Sequence, residues 1–387
     1  MTTSLKVDVN PNVFKWLRKS SGWSIEDIAK RLKTSIEVVK AIEKGERQPT
    51  LRQLKDLAIA YKRPLASFLL SEPLKESPLP KDYRMLPDRK NVFDKKTIYT
   101  IRKARDLQEI GAELLININN STKPDIKKIT ISKNPEKIAL EFREKFELDI
   151  EIQKKFKTSY EFFNYLRDIF EEMNILVFQF SMPIEDARGF ALTDELPNVI
   201  VINSGDTIEA RLFSLMHEFG HILLGETVID LPNISISTDH RIERWCNQFA
   251  SEFLLPSKVA IKVFESEGTR LTESNTLNKI SRKYKVSKSM LCYKMFNLKF
   301  ITMEVYKEIL NRYKPSDKEL KEDEDIDKKK KGGGIPSDKK CLSEIGNKFV
   351  SIVANNYERN FITYTDALNF LSIKSKNFNQ VLARAKK

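Results

Sequence analysis

The sequence predicts a mostly helical α+β protein, with an all-helical N-terminal domain, a central domain holding a small antiparallel sheet, and a helical C-terminal tail. Three observations lead there. Apolar residues recur at helical spacing through most of the chain. Three β-branched or aromatic runs, ILVFQF (175–180), GFAL (189–192) and NVIVIN (198–203), sit close together between turn residues. A polar segment, PSDKELKEDEDIDKKKKGGGIPSDKK (315–340), carries too little apolar surface for a packed core and divides the chain. At 387 residues and 41% hydrophobic content, two or more cores are affordable.

The elements follow in order. Residues 10–72 read as short helices with tight turns. The first has Pro11 near its start and Phe14 and Leu17 on one face. The second is capped by Ser24 with Asp27 at the third position, and Ile25, Ile28, Ala29 and Leu32 form its apolar stripe. The third ends at Gly45, the fourth is capped by Thr50, and PLASFLL is a short fifth. Residues 73–95 form a proline-bearing linker. Residues 96–265 form the central domain: helical segments to 174, the three strands, a helix over 207–225, a loop with Pro232 and Asn233, and a helix over about 239–254 closed by Pro256. A helical subdomain is expected over 266–314, the charged linker over 315–340, and a separate small helical tail domain over 341–387.

The formal net charge is +13, which points to a polyanionic partner, nucleic acid first. Three widely spaced cysteines, Cys246, Cys292 and Cys341, argue against a disulfide scaffold and for a reducing compartment. No signal-peptide pattern opens the sequence and no apolar run reaches the ~18 residues of a membrane span, so the expectation is a cytoplasmic protein without a membrane partner.

The chain has three histidines, and all lie within 217–240. Two of them belong to HEFGH (217–221). On a helix this spacing puts His217 and His221 one turn apart on one face, where both reach a single zinc, with Glu218 beside them as general base. Flanking apolar residues, among them Leu212, Leu215, Met216, Phe219, Leu223 and Leu224, suit a buried helix. Gly220 is expected to leave room beside the metal, and Gly225 to end the helix. A catalytic zinc needs a third protein ligand. The next helix offers His240 and Glu243, three residues apart; Asn247, a turn beyond Glu243, could orient a ligating side chain. Cys246 lies about 100° from Glu243 around the helix and is disfavoured. An extended substrate could pair with an exposed strand edge, NVIVIN being the nearest.

RLFSLMHEFGHILLGE followed by IERWCNQFASEFLLP resembles the ImmA/IrrE family of metallopeptidases. The resemblance implies a zincin-like fold, one Zn2+ per chain on His217, His221 and Glu243, and Glu218 as the catalytic base. Cys246 stands where such proteins usually carry alanine. The implied reaction is hydrolysis of a peptide bond in a protein substrate, a helix-turn-helix repressor, in a stress or mobile-element response. His240 is a candidate transition-state donor.

Residues 12–70 resemble an XRE-type helix-turn-helix domain through WSIEDIAKRLKTSIEVVKAIEKGERQPTLRQLKDLA. Such domains put the third helix in the major groove, here Ser35 to Lys44. Over residues 1–75 there are 15 basic against 8 acidic residues, which suits phosphate contact through Lys40, Lys44, Arg47 and Arg52. Ser35, Ile36, Glu37 and Val38 occupy the reading positions; Ile36 and Val38 cannot form bidentate base contacts, and Glu37 could only accept from cytosine. A protein-binding face is the competing use, and homodimerisation is common for such domains. Residues 277–302 have a similar cadence but read better as helical support for the metal site. Two non-proteolytic readings stand beside the enzyme: a DNA-binding transcription regulator with a zinc-sensing or structural domain, and an antitoxin-like partner-binding protein.

Overall fold

The computed structural model describes residues 5–75, 93–120, 122–225, 228–230, 241–312 and 336–385. Its contacts divide the chain into two compact units, 1–79 with 87–103, and 80–86 with 104–387. The architecture is α+β and mostly helical.

In the first unit, α1 (Pro11–Ser20), α2 (Ile25–Leu32), α3 (Ile36–Glu43) and α4 (Leu51–Tyr61) are followed by a 3-10 turn at Leu65–Leu69. The helix starts follow local chemistry. Asn10 caps α1 with proline just inside, Ser24 and Asp27 close a capping box on α2, and Thr50 and Gln53 close another on α4. Val13, Phe14, Leu17, Ile28, Val39, Ile42 and Leu57 fill the core. A buried ion pair, Arg18 Nε to Glu43 Oε1 at 2.5 Å, ties α1 to α3. The first part of α5 (Lys95–Asn117) belongs to this unit, where Lys95 meets Asp27 at 2.7 Å and lies 4.1 Å over the Trp23 ring.

The second unit begins with the rest of α5, then α6 (Pro135–Lys145), α7 (Ile150–Lys155) and α8 (Ser159–Glu172). The strands β1 (Ile175–Phe180), β2 (Gly189–Leu192) and β3 (Asn198–Asn203) have the bounds expected from the sequence. A fourth, β4 (Val228–Asp230), lies in the stretch expected to be loop. The order is β1-β3-β2-β4. β2 runs antiparallel to β3 and β4, as a small antiparallel sheet requires, while β1 runs parallel to β3 in the register Ile175↔Asn198 to Phe180↔Asn203, so the sheet is mixed. Every described residue of β1, β2 and β3 is buried, which explains why these runs are continuously apolar rather than alternating.

Against the sheet lies α9 (Ile208–Leu224), capped by Thr207 and ended by Gly225 in the left-handed region (φ 73°). α10 (Arg241–Leu254) crosses α9, and α11 (Ser257–Glu267), α12 (Ser274–Tyr284), α13 (Lys288–Asn297) and α14 (Met303–Arg312) continue the same core. Among the described residues of 266–312 no separate core forms: Leu277, Ile280, Met290 and Ile309 join the cluster that holds Phe219 and Phe249.

The tail comprises α15 (Ser337–Ile345), α16 (Asn347–Glu358), α17 (Tyr364–Leu371) and α18 (Phe378–Ala385). It packs on β1 and α8 within the second unit. Phe349 meets Phe178 edge-on at 5.8 Å, and Gln179 donates to Ser343 O at 2.9 Å. Buried Arg167 pairs with Glu171 at 3.0 Å and donates to the carbonyls of Leu342 (3.1 Å) and Ser343 (2.8 Å) at the end of α15, while Glu171 accepts the Lys348 N–H at 2.7 Å. The carbonyls and N–H groups left over at two helix ends are thus met by one ion pair.

Candidate metal centre

The site is built on two crossing helices. From Leu212 to Leu223 every residue of α9 is buried, as befits a helix wrapped by protein, and His217, Glu218 and His221 in that run are fully buried. Residues that are polar and fully buried need a common purpose, because each is costly to desolvate alone. The Nε2 atoms of His217 and His221 lie 3.1 Å apart, with their rings edge-on at 4.8 Å. From α10, Glu243 offers one carboxylate oxygen to each: Oε2 is 3.3 Å from His217 Nε2, and Oε1 is 3.3 Å from His221 Nε2. The three donor atoms lie within 4.8 Å of one another, and no other such group of histidine, cysteine or acidic side chains occurs among the described residues.

The donor set fits a metal. A tetrahedral zinc with bonds of ~2.0–2.1 Å holds its ligand atoms about 3.3–3.4 Å apart. The separations of 3.1, 3.3 and 3.3 Å are of that size, with a different Glu243 oxygen facing each histidine. Burial pushes the Glu243 carboxyl up, but His221 and then His217 outweigh it and hold the group well below the usual carboxylate range. An ionised carboxylate between two imidazoles is the form a cation requires.

Two glycines set the spacing around the donors. A Cβ at Gly220 would stand 3.0 Å from Cys246 Sγ, 3.3 Å from its Cβ and 3.4 Å from its Cα. Gly220 therefore faces α10 and lets it approach; the room expected beside a metal is taken by Cys246. The donor atoms that converge are those of His217, His221 and Glu243, while Cys246 packs against Gly220. At Gly189, the first residue of β2, a Cβ would stand 3.1 Å from Glu218 Oε1 and 3.0 Å from Val201 O. Glu218 therefore lies against the backbone of β2, a contact that nothing in the sequence pattern announced.

Of the other expected site residues, Asn247 is buried one turn beyond Glu243, and His240 lies outside the described residues. NVIVIN does not offer an edge for a substrate. β3 is paired on both sides, by β1 and β2, so its backbone groups are already used, and the edges of the sheet belong to β1 and β4. In the first unit Ser35, Glu37, Lys40, Lys44, Arg47 and Arg52 are all exposed. A hydrogen bond from Ser35 holds Glu37 below the usual carboxylate range, so the front of α3 carries a fixed negative charge.

Residues 170–296, which contain the sheet and all three candidate ligands, match the model of the peptidase M78 family, the IrrE N-terminal-like domain. Over this stretch the chain is similar to an IrrE N-terminal-like domain. This domain follows a stretch, 14–68, that matches a helix-turn-helix family model and covers α1 to α4. A stretch similar to a helix-turn-helix thus precedes one similar to an IrrE-like peptidase domain, and such a domain suggests a metal and a protein substrate. No curated protein and no solved structure matches the chain. No helix among the described residues is long and apolar enough to cross a membrane.

Proposed function

We propose that the chain is a zinc-dependent endopeptidase joined to a DNA-binding helix-turn-helix, and that it cleaves a transcriptional repressor of the helix-turn-helix class. The observation that carries this reading is the convergence of His217, His221 and Glu243 beside a second buried acid, Glu218. Two histidines and a carboxylate with a neighbouring acid suit hydrolysis better than structural metal binding, which has no use for the extra carboxylate.

His217, His221 and Glu243 would hold the zinc, with Asn247 supporting Glu243 from one turn away. Bound there, the ion would polarise a scissile carbonyl and bring the pKa of a water to about 7. Glu218, pressed against Gly189 on a fully buried helix face, takes the proton of the attacking water and passes it to the leaving amine. Its confinement limits the carboxylate to few rotamers, which suits a group that must receive and return a proton at one place. The exposed Lys40, Lys44, Arg47 and Arg52 would bring the enzyme to DNA where a repressor sits.

The test is zinc content and cleavage in parallel. Wild-type protein should carry about one zinc per chain. Glu243→Ala should lose it, and Glu218→Gln should keep it while cutting no co-expressed repressor. Zinc absent from wild type after reconstitution, or cleavage surviving Glu218→Gln, would refute the reading.

A further inference from the structure

The turn between α2 and α3 occurs twice more in the second unit. In the first unit Ser24 caps α2, Asp27 closes the capping box, Lys33 is left-handed (φ 51°), and the Thr34 N–H returns to Ala29 O at 2.9 Å. In the tail Thr363 caps α17, Asp366 closes the box, Ser372 is left-handed (φ 52°), and the Ile373 N–H returns to Leu368 O at 3.1 Å. In both, the left-handed residue stands nine positions after the cap. The agreement extends into the packing. Buried Ile28, Val39 and Ile42 correspond at the same spacing to buried Ala367, Phe378 and Val381. In the preceding helices, buried Val13, Phe14 and Leu17 correspond to buried Ile352, Val353 and Asn356. α16 packs on both α17 and α18, as the first helix of such a trio must.

The pair α12–α13 shares the turn, with Lys285 at φ 58° and the Val286 N–H returning to Ser281 O at 3.1 Å. Its second helix, however, is buried from Met290 to Met295, and Lys288 and Ser289 at its front are only half-exposed. Solvent exposure therefore separates the three. The tail resembles the first unit: Lys374, Ser375, Lys376, Asn379 and Gln380 are exposed along the turn and the front of α18. Where the first unit has Ile36 and Glu37, the tail has Ser375 and Lys376. From Ser372 to Lys387 there are five basic residues and no acidic one. Lysine suits phosphate or guanine, asparagine and glutamine suit adenine, and serine suits either. Ile36 and Glu37, at the same positions in the first unit, are none of these.

We propose that residues 347–385 form a second helix-turn-helix that binds duplex DNA. Lys374 and Lys376 meet phosphates, and Ser375, Asn379 and Gln380 face base edges. The docking of α15 and α16 onto β1 and α8 fixes this unit to the peptidase domain without using the exposed helix face. The proposal is independent of the zinc site, and fails separately from DNA binding by the first unit.

The experiment uses the full chain and fluorescence anisotropy with a labelled mixed-sequence duplex of about 30 base pairs, across a salt series. Lys374→Gln with Lys376→Gln should weaken binding at least about tenfold at low salt and reduce the slope of log K against log salt by about 1.8, the loss of two phosphate contacts. Asn379→Ala with Gln380→Ala should leave mixed-sequence affinity within about twofold, but flatten the base preference selected from a randomised duplex pool. Lys40→Gln with Arg47→Gln reports the first unit alone. The proposal is overturned if the tail lysine variant keeps wild-type affinity and slope while the Lys40 and Arg47 variant loses binding. It is equally overturned if the full chain binds no duplex, or binds single-stranded RNA as well as duplex. All four tail positions are exposed, so an unchanged urea midpoint verifies that the variants fold.

Discussion

Replacing Gly220 by alanine tests whether the approach of α10 to α9 sets the donor geometry. In an ordinary helix interior this change recovers about 1 kcal/mol of backbone entropy. Here the new methyl would stand 3.0 Å from Cys246 Sγ and 3.4 Å from Cys246 Cα, on a helix whose own backbone must then move by a few tenths of an ångström. Overpacking of that kind costs about 1–3 kcal/mol, so the net effect should be a destabilisation of roughly 0–2 kcal/mol. Glu243 is on the same helix, 3.3 Å from each histidine, and moves with it. We expect zinc affinity, measured by competition with a chromophoric chelator, to fall by roughly tenfold, within the range seen when a ligand's support is disturbed. Cys246→Ala removes the nearest atom. In the Gly220→Ala background it should restore most of the stability and affinity, giving a coupling of about 1 kcal/mol in a double-mutant cycle. If Gly220→Ala is instead stabilising by about 1 kcal/mol with zinc affinity unchanged, the close crossing does not position Glu243.

Arg167→Ala should destabilise the protein by about 3–5 kcal/mol in urea unfolding, because it strands buried Glu171 and uncaps the end of α15; a loss under 1 kcal/mol would show the pair to be incidental. All three cysteines are buried, so a thiol reagent at neutral pH should label none in the native protein and three after denaturation. Burial pushes the Cys292 thiol up to about 12 from 9.0, so the folded state keeps a proton that the unfolded chain releases. Stability from this group is full below pH 9 and declines as pH rises toward 12, and Cys292→Ala should remove about 1.4 kcal/mol per pH unit from the slope in that window. Lys40→Ala with Arg47→Ala should lower the salt dependence of DNA binding by about 1.8 in slope, whatever the state of the metal site.

Much of the candidate metal centre could be read from the sequence because its pattern is local. HEFGH fixes two histidines by helical spacing, and the apolar residues around it announce a buried helix. Glu243 was one of two candidates by spacing, and only the crossing of α9 and α10 brings its carboxylate to the imidazoles. The strand bounds were legible for the same local reason, since each run is β-branched or aromatic between turns. Strand order was not: NVIVIN gives no sign that β1 will pair along its other side. Gly220 was misread because a glycine beside a ligand looks the same whether it faces a metal or a neighbouring helix. The tail looked separate because the charged segment before it reads as a boundary. Arg167 and Glu171, which hold the tail, are too distant in sequence to signal their partners.

The covering of β1 by the tail has a cost in time. β1 is an edge strand whose six residues are nonetheless all buried, and α15 and α16, which cover it, are synthesised long after it. Between Phe180 and Ser337 the ribosome must add more than 150 residues, which at ~5–20 residues per second takes on the order of ten seconds or more. Throughout that interval the nascent chain has a sheet with one margin open, the kind of surface that recruits another strand or a chaperone. A message cut short anywhere in the 315–340 segment would make that condition permanent. Fragments that retain His217, Glu218, His221 and Glu243 and lack only the tail should therefore accumulate as aggregates or be degraded, although every residue of the candidate metal centre is present.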